Sequence, residues 1–312
     1  KLPNQNDVFH AQSGTRNYRL LGSEELDVAV ETTFTNMLLL FDFIWDLKHN
    51  HSSENNTLDL HAVHYNCMQL FADGFGLLEV PPQCQTVKAL ITNDLVSHAK
   101  ALKAKDPKRK SQNVRLPVPD HLLARYLRVD HTHESYIGMA QAEVVRNTFM
   151  HSLAAYLVSS HVLGLGSVGA DQTTVSSTGT IFVKAPDYVL TFESEYAQKK
   201  HKPPPAKRPV YPLFYMPCFR NVLGTEADTQ LQEFAELVQE AFLAVRNKCS
   251  FLVSSLLFMA SEFNLDLERV NSSVELLQQN LYMKLNDGEA AKEFGKVLET
   301  ALRVDHSISV WM

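Results

Sequence analysis

A long apolar stretch that runs into a glycine-rich turn places the strongest constraint on this chain. Residues 134–163 contain a strongly apolar helical pattern with Ala154, Ala155, Ser159 and Ser160 within it. Side chains this small permit close helix packing, so the pattern predicts a long helix pressed against neighbours. It ends in Leu163-Gly164-Leu165-Gly166, where the glycines break the helix.

The flanking regions predict an α+β molecule. A strand is expected around Tyr18 to Leu21, and a helix over 28–47 with Phe34, Leu38, Phe41 and Trp45 on one stripe. The alternation Leu58-Asp59-Leu60-His61-Ala62-Val63 reads as a strand, and Gly76 to Val80 as another. Pro81-Pro82 breaks regular structure and suits a hinge. Helices are expected over 86–103 and 121–127, with a basic loop at 104–117 between them. Residues 191–212, rich in lysine and proline, read as an exposed loop. A continuous amphipathic helix is expected from Ala227 to Met259, then helices over 270–281 and 287–302, the last capped by Asn286-Asp287.

With 312 residues and 45% hydrophobic content, the chain can bury a full core. A net charge of −6 argues against general nucleic-acid affinity. No apolar run is expected to reach the roughly 20 residues of a membrane span. Residues 1–25 show no signal-like hydrophobic stretch. Cys67, Cys84, Cys218 and Cys249 lie far apart, which fits free thiols in a reducing cytoplasm. The pairs His49/His51, His61/His64 and His131/His133 invite a metal reading, but none belongs to a complete ligand motif. No metal and no cofactor are expected. The triplets at Asn50, Asn55 and Asn271 carry little weight without a secretory signal.

Fragments along nearly the whole chain, from about residue 17 onward, resemble the kinase domain of phosphoinositide 3-kinases, class I enzymes most. Leu58-Asp59-Leu60 with Tyr65-Asn66-Cys67 is similar to that family's Leu-Asp-Leu and Tyr-Gly-Cys. Gly76-Leu77-Leu78-Glu79-Val80 is similar to its hinge strand. Phe149 to Gly166, Ala227 to Arg246, Leu285 to Phe294 and Val310-Trp311 follow further family segments. The resemblance implies a two-lobed PI3/PI4-kinase-like fold with a small, reduced, β-rich N-lobe (1–80), a hinge (81–85) and a mainly helical C-lobe (86–312).

The same resemblance marks departures. In place of the family's Asp-Arg-His-x-x-Asn and its later metal-binding Asp stand Ser167, Val168, Gly169, Gln172 and Ala185. At the degenerate hinge, Glu79 and Val80 are followed by Pro81, which has no N–H for an adenine ring. The family's phosphate-binding lysine has no counterpart beside Arg19 and Leu20, and its phosphate loop is not evident in residues 1–16. Phosphoryl transfer needs positioning and charge neutralisation by metal ions. These losses lead to the expectation of a pseudokinase: no enzyme, no bound nucleotide, and a regulatory or scaffolding role beside protein partners in a larger complex or longer polypeptide. The alternative is a divergent active phosphatidylinositol 3-kinase using Asp171 or Asp187 in a shifted register. The resemblance also places Lys199, Lys200, Lys202, Lys207 and Arg208 where an inositol headgroup would approach, with Trp311 as an interfacial anchor. A cytoplasmic protein, peripheral to anionic membranes, is the expectation.

Overall fold

The computed structural model describes residues 11–13, 16–21, 28–51, 58, 60–70, 75–80, 83–105, 121–129, 136–165, 168–184, 186, 188–193, 213, 215–223, 227–262 and 267–303. Its strands are β1 (Ala11–Ser13), β2 (Arg16–Leu21), β3 (Cys67–Gln69), β4 (Gly76–Val80), β5 (Cys84–Thr86), β6 (Thr173–Ser176), β7 (Ile181–Val183), β8 (Tyr188–Val189) and β9 (Phe192–Glu193). Its helices are α1 (Val28–His51), α2 (Val87–Lys105), α3 (Leu122–Tyr126), α4 (Tyr136–Val162) and α5 (Pro217–Leu223). Four more follow: α6 (Ala227–Arg246), α7 (Cys249–Glu262), α8 (Leu267–Asn280) and α9 (Asp287–Arg303). The arrangement is mixed helix and sheet with helix predominant, in keeping with an α+β kinase-like fold.

Two antiparallel sheets carry most of the strands. One runs in the order β1-β2-β4-β3, and the other in the order β5-β6-β7; β8 and β9 form a separate pair. The central pairing of the first sheet sets Asn17 opposite Val80 and Leu21 opposite Gly76. In the second sheet Thr174 stands between Thr86 on β5 and Phe182 on β7.

Helix α4 is the spine of the helical part. Phe149, Leu153, Ala154, Ala155, Leu157, Val158 and Val162 are all fully buried, so the second half of the helix is enclosed on every side. Each large apolar side chain so enclosed contributes about 2 kcal/mol relative to exposure. Val175, Ile181 and Val183 of the hairpin share this main core, together with α1, α6 and α9 residues such as Phe41, Phe242 and Phe294. Trp45 of α1 is fully buried and donates its indole N–H to the Ala241 carbonyl on α6 at 3.1 Å.

Several sequence expectations need correction. The described residues of the alternating segment, 58 and 60–63, are not in a strand. Leu58, Leu60 and Ala62 are buried, but the backbone N–H groups of Ala62 and Val63 donate to the Asp42 carboxylate on α1, at 2.6 and 3.2 Å. A side chain replaces the neighbouring strand as acceptor, and burial raises that carboxyl's pKa while these two bonds oppose the rise. The helix expected over 227–259 breaks at Asn247-Lys248, where α6 and α7 meet at a 62° bend. No glycine or proline marks the break; the Lys248 N–H turns back to the Val245 carbonyl at 3.1 Å. Val28–Leu47 does reach span length and hydropathy, yet 67% of the window is buried inside the fold, as befits a core helix. The hinge prolines, most of the 104–117 loop and residues 194–212 lie outside the described residues.

Arg246 holds the chain together after that bend. It is 7% exposed and donates Nε to the Leu281 carbonyl at 3.1 Å and Nη2 to the Leu285 carbonyl at 2.5 Å, while Nη1 pairs with Asp287. The Asn286 side chain meanwhile accepts from the Glu289 N–H at 2.9 Å, and Glu289 reaches back to the Asn286 N–H at 3.2 Å, a capping box that starts α9. Replacing Arg246 by Met strands two buried carbonyls, and urea unfolding is expected to show a loss of about 2–4 kcal/mol. Lys296→Met, at an exposed pair with Glu293, should change stability by no more than about 0.5 kcal/mol.

Candidate functional site

The presented loop begins where α4 stops. Gly164 adopts φ +54°, a left-handed conformation that ends the helix, and a Cβ there would approach the Asn280 amide at 3.3 Å. The Asn280 side chain caps the helix by donating to the Val162 carbonyl at 3.1 Å. His161, one residue earlier, has its Nε2 3.0 Å from the Asn280 carbonyl, and its ring lies against Phe242, Tyr282 and Phe294. Burial among these rings pushes its pKa down to about 4.

Residues 168–172 then make a tight turn. The Gln172 and Thr173 N–H groups both donate to the Gly169 carbonyl, at 3.1 and 3.0 Å, and the Thr173 hydroxyl joins them at 3.0 Å. A Cβ at 169 would sit 2.7 Å from a carboxylate oxygen of Asp171, an exposed side chain that would have to turn aside. Val168 and Ala170 are buried in the main core, Asp171 is exposed and Gln172 is half-buried. Two backbone bonds fasten the turn to its surroundings: Lys88 N–H to the Ala170 carbonyl at 2.8 Å, and Lys184 N–H to the Gln172 carbonyl at 3.0 Å. The turn therefore lies against the strand that leads into residues 185–187.

Behind β7 a buried polar contact joins three segments. The Tyr65 hydroxyl bonds the Glu31 carboxylate of α1 and lies 3.1 Å from the Val183 carbonyl. Glu31 is 1% exposed, and Tyr65 2%. Phe182 packs its ring on Tyr65 and His64, with centroids 5.6 and 5.4 Å apart. With Val28, Cys67, Leu78 and Cys84 these rings form a second, smaller apolar cluster between the two sheets. His64 Nε2 is buried without a partner among the described residues, and burial holds its pKa down at about 4. Cys67 is pushed up to about 12, by burial first and by the charge of Glu31 second. All four cysteines are free.

Of the residues singled out in the sequence, the structure brings Val168, Gly169 and Gln172 into one turn. Glu79 lies on β4, its carboxylate accepting from the Asn66 amide at 2.8 Å and its N–H donating to the Asn66 carbonyl at 2.8 Å. Val80 pairs with Asn17 at the end of β4. Ser167, Ala185, Asp187, Pro81, Lys199, Lys200, Lys202, Lys207, Arg208 and Trp311 lie outside the described residues. Among the described residues, no group of three or more His, Cys, Asp or Glu is placed to hold a metal ion. Sequence reading missed Glu31, His64 as a buried neighbour of Phe182, and Lys184. The available signals were a lone acid in the apolar start of α1 and the two-residue alternation of β7.

The comparisons with known proteins agree with the resemblance. The chain is 22% identical over 277 residues to phosphatidylinositol 3-kinase 2 of Dictyostelium discoideum, covering 88% of this chain and 13% of that protein. It is 22% identical over 290 residues to phosphatidylinositol 3-kinase piki-1 of Caenorhabditis elegans, covering 92% of this chain and 15% of the relative. Phosphatidylinositol 3-kinase 3 of Dictyostelium discoideum is 23% identical over 277 residues. No protein-family model matches. This distant similarity, spread over most of the chain, supports a phosphatidylinositol 3-kinase-like kinase domain. The expectation that the chain is no enzyme is corrected here. These relatives are named as phosphatidylinositol 3-kinases, which are enzymes, and nothing among the described residues points to loss of activity. That expectation rested on Ser167, Val168, Gly169, Gln172, Ala185 and Pro81, of which Ser167, Ala185 and Pro81 lie outside the described residues.

The two low histidine pKa values give the site a pH signature. His64 and His161 stay neutral in the fold down to about pH 4, whereas a free histidine takes up its proton near pH 6.5. The unfolded chain thus binds more protons between those limits, and stability falls as pH drops through that window. Each histidine contributes a slope of up to about 1.4 kcal/mol per pH unit. Urea midpoints measured from pH 7 to pH 4.5 should decline, and His161→Gln should flatten the decline.

Proposed function

We propose that this chain is a divergent phosphatidylinositol kinase domain, class I-like in kind, which transfers the γ-phosphoryl group of ATP to an inositol lipid. Its two lobes would be residues 1–80 and 86–312, joined at 81–85. The observation that carries this reading is the fastening of the 168–172 turn to β7 through the Lys184 N–H and Gln172 carbonyl. Lys184, whose N–H makes that bond, is the residue before 185–187, where the resemblance puts metal-assisted chemistry. The relatives' names support the same activity.

Magnesium travels with ATP and is commonly held by one or two carboxylates plus the phosphates. Asp171 and Gln172 would offer one carboxylate and one amide oxygen from adjacent positions of the turn, oxygens of the hard kind. Asp187, beyond Pro186, would supply the second carboxylate. When bound, the ion neutralises charge on the transferring group. The chain's own part is to hold the turn rigid through Gly169 and Thr173 and to keep β7 in place through Tyr65. In the altered register, Asp171 or Asp187 would also orient the lipid hydroxyl and accept its proton.

The test is transfer of labelled γ-phosphate from ATP to phosphatidylinositol vesicles by the full-length protein. The unaltered protein should label the lipid, and Asp187→Asn and Asp171→Asn should each lower the rate about 100-fold or more at unchanged melting temperature. Absence of lipid labelling, or rates untouched by both substitutions, would sink the proposal.

Lys199, Lys200, Lys202, Lys207 and Arg208 would face the anionic headgroup, Trp311 would anchor at the interface, and protein partners would come from a larger complex or longer polypeptide. The domain would then work at the cytoplasmic face of a membrane. Each basic residue near such a surface contributes about 1 kcal/mol at low salt. Sedimentation with phosphatidylserine-containing vesicles should show salt-sensitive binding that falls when these five residues become glutamine. Binding unaffected by the substitution would assign membrane contact elsewhere.

A further inference from the structure

Resting on the kinase reading above, we propose that Lys184 is the cation that receives the phosphate chain of the nucleotide, from the β5-β6-β7 side of the cleft. Strand β2, Arg-Asn-Tyr-Arg-Leu-Leu, contributes the cations Arg16 and Arg19 but no lysine. The second sheet carries a lysine of its own, and the strand register decides which way it faces.

Residues on β7 alternate between two environments. Ile181 and Val183 face the main core beneath α4, with Val175 of β6 beside them. Phe182, between them, points the other way and belongs to the small cluster with Tyr65, Leu78 and Cys84 that lies between the sheets. Lys184 is two residues beyond Phe182, so its side chain leaves on that same face. Thr174 stands directly across from Phe182, and directly opposed residues share a face. The inter-sheet face of this sheet is thus Cys84, Thr86, Thr174, Ser176, Phe182 and Lys184.

Three further facts make that face suited to an anion. Lys184 is half-buried and makes no ion pair among the described residues. Its ammonium lies near enough to Cys84 to favour the thiolate against the burial that raises that thiol's pKa. The Thr174 hydroxyl, in a residue 5% exposed, is buried without a hydrogen-bond partner among the described residues. A buried hydroxyl left unpaired costs free energy that a bound polar group can return. The main chain at Lys184 is also fixed, by its N–H to Gln172 and by Tyr65 on the carbonyl before it. Its position, one residue before Ala185, would set the ammonium beside the phosphates instead of the base. Ammonium-to-phosphate contacts are charge-assisted and among the stronger hydrogen bonds.

Calorimetry with a non-hydrolysable ATP analogue and with adenosine separates the phosphate contribution from that of the base. The unaltered full-length protein should bind the analogue more tightly than adenosine. Lys184→Met should weaken the analogue about 10- to 100-fold while leaving adenosine within about twofold, and Lys184→Arg should restore most of the loss. Thr174→Val should weaken binding without removing the preference for phosphates. If the analogue binds well and Lys184→Met leaves that preference intact, Lys184 has been misassigned and the kinase reading survives. If neither compound binds the unaltered protein, both readings fall together.

Discussion

One hydroxyl group, that of Tyr65, is where the two sheets and the first helix come to terms. It lies at hydrogen-bonding distance from an α1 carboxylate and from a β7 carbonyl, in surroundings almost closed to water. In such surroundings a hydrogen bond gains strength and a missing one costs more. Removing the hydroxyl would withdraw a buried donor from Glu31 and Val183 together. The strand that ends at Val183 leads straight into the candidate site, so the placement of Lys184 and of the segment after it depends on this contact. The Asp42 carboxylate, further along α1, acts to the same end by holding Ala62 and Val63. Helix α1 thus positions the tyrosine twice, once through its own hydroxyl and once through the segment that leads to it.

The elements with strong local signals were legible in the sequence. Helices α1, α4, α8 and α9 follow from apolar spacing, and the Asn286 cap from its residue type, because these depend on neighbours three or four residues away. What escaped was decided by contacts distant in the chain. Residues 58–63 alternate like a strand, but a side chain twenty residues earlier takes their N–H groups. The 62° bend after Arg246 has no breaker residue; the guanidinium is drawn to carbonyls 35 and 39 residues away. Of the site, positions 167–172 were singled out only through the resemblance, whereas the turn at 168–172 and the environments of Glu31, His64 and Lys184 required the fold.

The substitutions in the turn also take on a different meaning once burial is known. Val168 and Ala170 are not merely chemically silent; both pack into the main core, at 8% and 9% exposure. An arginine placed at position 168 would be a cation buried in the main core, a cost of several kcal/mol without a partner. These two turn positions serve packing, and charge has to enter from residues that leave the core. Asp171 does so by standing exposed over Gly169, and Lys184 by lying on the opposite face of β7 from Val183. Chemistry in this chain is consequently tied to strand register. A one-residue slip of β7 against β6 would exchange Phe182 and Lys184 with Ile181 and Val183, drive an ammonium into the apolar core, and cancel the site and the hairpin's packing in one step.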